Sequence, residues 1–187
     1  DLPRGTGEAE NGIHMVATRR NLEAWFQLCA IAMATFLCMS LWFSASAVGR
    51  QLQGAWELTV SQVSWLTVSV TVGFVTGTLA SAALNLPDRM RAERLLAISA
   101  LTGGLVNLLI PILAGHDDSG HMYPLVIVLR FVTGMTLAGV YPPGMKLMAS
   151  WFPRNRGLAI GILVGALTLG SALPYLLLFF TSSGWLD

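Results

Sequence analysis

The chain has 187 residues, of which 54% are apolar and only 11% charged, against roughly 25% charged in an average soluble domain. That composition excludes an ordinary water-soluble globule, and a net charge of +1 with no basic cluster excludes nucleic-acid binding as the main activity. Two cysteines, Cys29 and Cys38, are too few for a disulfide framework or a four-thiol metal site, so they read as apolar packing residues.

The chain opens on a polar run, Asp1 to His14, that has nothing to bury and is expected to lack structure, with Met15 a candidate start. Residues 1–23 then form a cytoplasmic tail, and everything from 24 to 187 belongs to one helical bundle. A bilayer core of about 30 Å needs about 20 apolar residues of helix, because in hydrocarbon each backbone amide must be satisfied within its own segment. Five stretches meet that demand, at 24–48, 63–84, 95–114, 124–149 and 157–180, and only Arg130 and Lys146 are charged inside them. A signal peptide competes for the first, since Arg19-Arg20 and Ser44-Ala-Ser-Ala47 imitate its flanks. The apolar run is too long for one.

Short polar turns separate the spans, with helix-start signals at Thr59-Val-Ser-Gln62, which has capping-box spacing, and at Asn155. Arg4, Arg19, Arg20, Arg89, Arg91, Arg94, Arg154 and Arg156 fall on one side of the bundle, whereas Arg50 is the loop arginine of the other. The positive-inside rule places the first side, and the N-terminus, in the cytoplasm. The loop from His116 to His121 is then outside. Its imidazoles and carboxylates lack fixed spacing, so a hydrophilic turn is expected there rather than a metal site. No cofactor is expected.

Helices in lipid associate through close backbone approach, which small residues permit. Tight faces are expected at Gly73 and Gly77 in the second span, at Gly134 and Gly139 in the fourth, and along Gly157, Gly161, Gly165 and Gly170 in the fifth. The run Tyr141-Pro-Pro143 removes backbone donors near the end of the fourth span, and a kink is expected there. The chain stops in the polar turn Gly184-Trp-Leu-Asp187, beyond which a sixth span is expected.

Three segments carry a resemblance. Leu86-Pro-Asp88-Arg89-Met-Arg91-Ala-Glu-Arg94 follows the second span; Arg130-Phe-Val-Thr-Gly134-Met-Thr-Leu-Ala-Gly139 lies in the fourth; Trp151-Phe-Pro-Arg-Asn-Arg156-Gly-Leu-Ala-Ile-Gly161 joins the fourth to the fifth. Together they resemble the amino-terminal half of a major facilitator superfamily transporter, over about 22–180. The first departs from the family's acidic-basic signature in having Arg91 at a usual glycine. The resemblance implies an all-α membrane protein, five transmembrane helices of a six-helix half-bundle with inverted repeats, completed by a missing carboxy-terminal half. Three spans make an odd repeat, so a second copy begins on the opposite side, as the fourth span does here. It further implies secondary active transport of a small solute by alternating access with proton coupling, in the plasma (inner) membrane.

Arg130, about 9 Å into its helix at 1.5 Å per residue, has two readings: a side chain reaching for headgroups, or one facing the bundle to attract an anionic solute or, as the resemblance implies, to exchange partners during proton coupling. Trp42, Ser44 and Ser46 either line a wet cavity or serve as interfacial anchor and packing residues. Asp88 with Arg89, Arg91 and Arg94 forms either an ion-paired latch or a solvated loop. Lys146 reads as a snorkelling cation at a helix end, and Asn107 as a hydrogen-bonding partner for a neighbouring helix. Against transport stand a membrane-embedded enzyme, for which no span carries a His/Glu/Asp cluster or a nucleophile beside a base, and a non-transporting structural membrane subunit.

Overall fold

The computed structural model describes residues 6–47, 49–115 and 120–182, and among them every regular element is a helix. In chain order these are α1 (Thr6–Ala47), α2 (Gly49–Ala55), α3 (Val60–Ala83), α4 (Leu86–Arg89), α5 (Ala92–Ala114), α6 (Tyr123–Leu137), α7 (Tyr141–Trp151) and α8 (Arg156–Ser182). Five segments are long and apolar enough to cross a membrane: Asn21–Ser44, Val60–Ala83, Ala92–Leu113, Tyr123–Trp151 and Arg156–Phe180. Leu79, Leu101, Leu105, Leu169 and Phe179 are each more than 60% exposed, an arrangement that suits a hydrocarbon solvent and not water.

The first helix corrects one expectation. The polar residues from Thr6 to His14, expected to lack structure, are helical and extend α1 to 42 residues. Once a membrane segment has nucleated a helix, each added residue gains a hydrogen bond for one more fixed pair of dihedrals, and no proline stops the growth.

The turn before α3 forms as its sequence spacing predicts: the Thr59 hydroxyl accepts from the Gln62 amide, and the Thr59 amide donates to Gln62 Oε1 at 2.8 Å. The fourth span breaks into α6 and α7 over 138–140. Pro142 and Pro143 have no amide hydrogen, so the chain tightens before them: the Gly139 amide donates to Thr136 O (3.0 Å) and the Val140 amide to Leu137 O (3.1 Å). Gly139 also lets α5 close on the break, since a Cβ there would lie 2.1 Å from Ser99 Oγ.

Two helix pairs organise the bundle, α3 along α6 and α1 along α8, with α5 backing α6 and α7. At the near end, where the chain enters, Leu28, Ile31, Leu147, Met148, Ala159 and Leu163 are buried together. Cys38, Leu137 and Val140 fill the middle. At the far end Trp56, Leu58, Leu66, Ile110 and Val126 form the third cluster.

Candidate functional site

Arg130 lies seven residues beyond the start of α6 and is fully buried, 0% exposed, so it does not reach for headgroups. Its guanidinium is held by backbone oxygens and one amide. Nε donates to Leu66 O of α3 at 3.1 Å; Nη1 donates to Leu41 O of α1 at 2.9 Å and to Asn107 Oδ1 of α5 at 3.2 Å; Nη2 donates to Trp42 O. One side chain thus ties α1, α3 and α5 to α6. Hydrogen bonds to a charged donor are worth about 1.5–3 kcal/mol each, which offsets the desolvation of the cation. Among the described residues no carboxylate pairs with it. The dipoles take up four of its five N–H donors and leave its charge uncompensated, a source of positive potential in a low-dielectric interior.

The residues expected beside it fall around that cage. Trp42 is half-buried, its ring 5.1 Å from that of Phe74, so the indole packs within the bundle while its carbonyl serves Arg130. The Ser44 hydroxyl donates to Leu41 O at 2.8 Å, turning back onto its own helix and sharing an acceptor with Arg130. The side chain of Ser46 lies outside the described residues, as does most of the loop from His116 to His121. Among the described residues no three metal-ligating side chains converge.

Asp88 does not find its cation among the neighbouring arginines. Its Oδ1 accepts from Lys146 Nζ of α7 at 2.9 Å, and the same ammonium donates to Pro87 O at 3.1 Å. Arg91 instead lies 3.4 Å from Glu93, and among the described residues Arg89 and Arg94 make no ion pair. Neighbours in a single-turn helix such as α4 point in different directions, whereas α7 presents Lys146 directly across from it. Lys146 was legible as a cation at a helix end; its partner, 58 residues earlier, was not.

The glycines divide. A Cβ on Gly73 would lie 2.0 Å from Phe131 O, on Gly134 2.1 Å from Val70 O, and on Gly77 2.6 Å from Met135 O, so α3 and α6 are in backbone contact. A Cβ on Gly170 would lie 2.2 Å from Phe36 O of α1. Gly157, Gly161 and Gly165, expected on a tightly packed face, have nothing within 4 Å among the described residues. One face of α8 holds Gly170 against α1, and the stripe a few turns earlier lies on the other.

The Major Facilitator Superfamily model matches residues 28–186, most of the chain and all five membrane segments but the first turns of α1. The chain belongs to the major facilitator superfamily. Human monocarboxylate transporter 2 is similar to it, 25% identical over 139 residues that make up 73% of this chain and 27% of that protein. The chain thus spans about a quarter of that relative's length. No solved structure gives a significant match. Its five apolar helices and membership in the superfamily make this an integral, multi-pass membrane protein.

Proposed function

We propose that the whole protein moves a small organic anion, of the monocarboxylate type, by secondary active transport with proton coupling. The observation that carries this reading is the uncompensated charge of Arg130. Carbonyl dipoles fix the guanidinium in place without neutralising it, so the interior of the bundle favours a negative solute over a neutral one. The name of the similar human protein supports a carboxylate as that solute.

Alternating access needs a second bundle against which this one rocks, with the solute path between them. The open face of α8, where Gly157, Gly161 and Gly165 leave the backbone bare, suits the seat of that missing carboxy-terminal half. The link between Asp88 and Lys146 at the near end serves as a conformational latch, with Arg89, Arg91 and Arg94 beside it as alternative cations when it opens. The excess of arginines at this end supports a cytoplasmic near end and N-terminus in the plasma membrane.

Uptake by the full-length protein in proteoliposomes, with an imposed proton gradient and labelled monocarboxylates, dicarboxylates and neutral solutes, tests the reading. Monocarboxylate uptake that rises with the gradient is expected. It falls at least about tenfold in Arg130→Lys, which keeps the charge but not the fork of donors, and in Arg130→Gln, which loses the charge. Unchanged uptake by both variants, or uptake of neutral solutes alone, would overturn it.

A further inference from the structure

At the near end a cavity of about 460 Å³ opens between the first turns of the apolar part of α1 and the turn that joins α7 to α8. Asn21 and Ala24 line it from α1, Trp151 and Phe152 from the end of α7, and Pro153, Arg154 and Asn155 from the turn. The volume is within the range of about 300–1,000 Å³ found for small-molecule sites. Every polar side chain in the lining is or includes a hydrogen-bond donor: one guanidinium and two carboxamides. Among the described residues none of the three is committed to a hydrogen bond or ion pair. Among the described residues no carboxylate lines the cavity. Glu23, two residues from Asn21, lines a separate shallow cavity with Leu22 and Phe26.

The height of the cavity matters as much as its chemistry. Asn21 begins the first apolar segment, Trp151 ends the fourth and Asn155 immediately precedes the fifth, so three spans leave the hydrocarbon at the level of its opening. Tryptophan is characteristic of that level, and Trp25, packed edge-on against Phe152 at 5.4 Å, adds a second indole beside the cavity. A ligand here meets donors on one side and aromatic or apolar wall on the other. A phosphate ester carried on a glycerol backbone has this polarity, and Arg154 supplies the planar fork that grips phosphate oxygens.

We propose that this cavity binds the phosphate ester of an anionic phospholipid, held by Arg154, Asn21 and Asn155 with its glycerol against Trp151 and Phe152. A lipid seated there joins α1, at Asn21 and Ala24, to the turn between α7 and α8. The lipid source is favoured over a soluble phosphate ester because the apolar wall of the cavity is continuous with the ends of the membrane segments.

Native mass spectrometry of the full-length protein in detergent, titrated in parallel with phosphatidylglycerol, phosphatidylcholine and glycerol 3-phosphate, tests the assignment. Phosphatidylglycerol is expected to be retained in preference to phosphatidylcholine, and Arg154→Gln to weaken that retention about tenfold. Asn21→Ala weakens it less, and Arg91→Gln, which removes an equal charge at the same end but outside the cavity, leaves it within about twofold. Arg154 is exposed, so its variant folds, and unchanged melting temperature checks that it does. Equal loss in Arg154→Gln and Arg91→Gln, or equal retention of the two lipids, overturns the site. Saturation by glycerol 3-phosphate with no lipid retained assigns the cavity to a soluble ester and overturns the lipid.

Discussion

The contact of α3 with α6 and the contact of α1 with α8 occupy equivalent places if spans one to three are matched, inverted, to the spans from the fourth on: the second span on the fourth and the fifth on the first. They are built very differently. The former carries polar fastenings as well as close packing: Tyr123 Oη donates to Gln62 O at the far end (3.0 Å), Arg130 reaches Leu66 O, and three glycines bring the backbones together, while just beyond the pair Lys146 of α7 meets Asp88 of α4 at the near end. The latter relies on apolar packing around Leu28, Ile31, Ala159 and Leu163 and on the single close approach at Gly170. Symmetry of position does not bring symmetry of rigidity. The pair with polar fastenings is suited to move as a unit, while α8 keeps a bare face toward whatever lies beside it.

The strongest way to break this comparison is to add a methyl group at each kind of glycine. Gly134→Ala places a Cβ about 2 Å from Val70 O, where only backbone movement relieves the clash; a loss of about 3 kcal/mol, the upper end for overpacking, is expected in thermal melting in detergent. Gly161→Ala, which meets nothing within 4 Å, is expected to stay within about 0.5 kcal/mol. Equal losses at the two positions would show that the stripe on α8 is as tightly engaged as the contact of α3 with α6. A middle value sharpens the picture: Gly170→Ala should cost about 1–2 kcal/mol, because Phe36 O is met at one point and the helices can tilt apart around it. A loss as large as that of Gly134→Ala would mean that α1 and α8 are held as rigidly as the other pair. The smallest effect belongs to Asp88→Asn. Both partners of the ion pair are more than half exposed, so stability should change by less than about 1 kcal/mol while transport rate in proteoliposomes changes with topology intact. An unaltered rate would reduce the pair to an ordinary surface contact.

The sequence made the five spans legible because runs of about 20 residues without charge admit one interpretation in a lipid solvent. It also showed that Gly73 and Gly77 permit close approach, that Tyr141-Pro-Pro143 breaks the fourth span, and that Arg130 was out of place at its depth. What it hid was direction. Two glycine stripes with the same four-residue spacing point one to a neighbouring helix and the other outward, and spacing along a helix carries no record of which helices surround it. Partners distant in the chain were equally hidden: the oxygens around Arg130 come from residues 23 to 89 positions away, three of them main-chain atoms common to every amino acid. Asp88 offered several plausible cations nearby, and the fold chose one beyond them. The helical residues from Thr6 to His14 were missed because their polarity says nothing against a helix that has already been started elsewhere.

The cage around Arg130 has a consequence for how this protein tolerates change. Three of its four acceptors are peptide oxygens, so replacing the side chains of Leu41, Trp42 or Leu66 leaves the acceptors themselves where they are, provided the helices keep their paths. Those positions are free to drift while the arginine and the carboxamide of Asn107 are not. Mutational scanning should therefore find an intolerant residue surrounded by permissive neighbours, an anchor set in scaffolding that evolution can repaint without loosening.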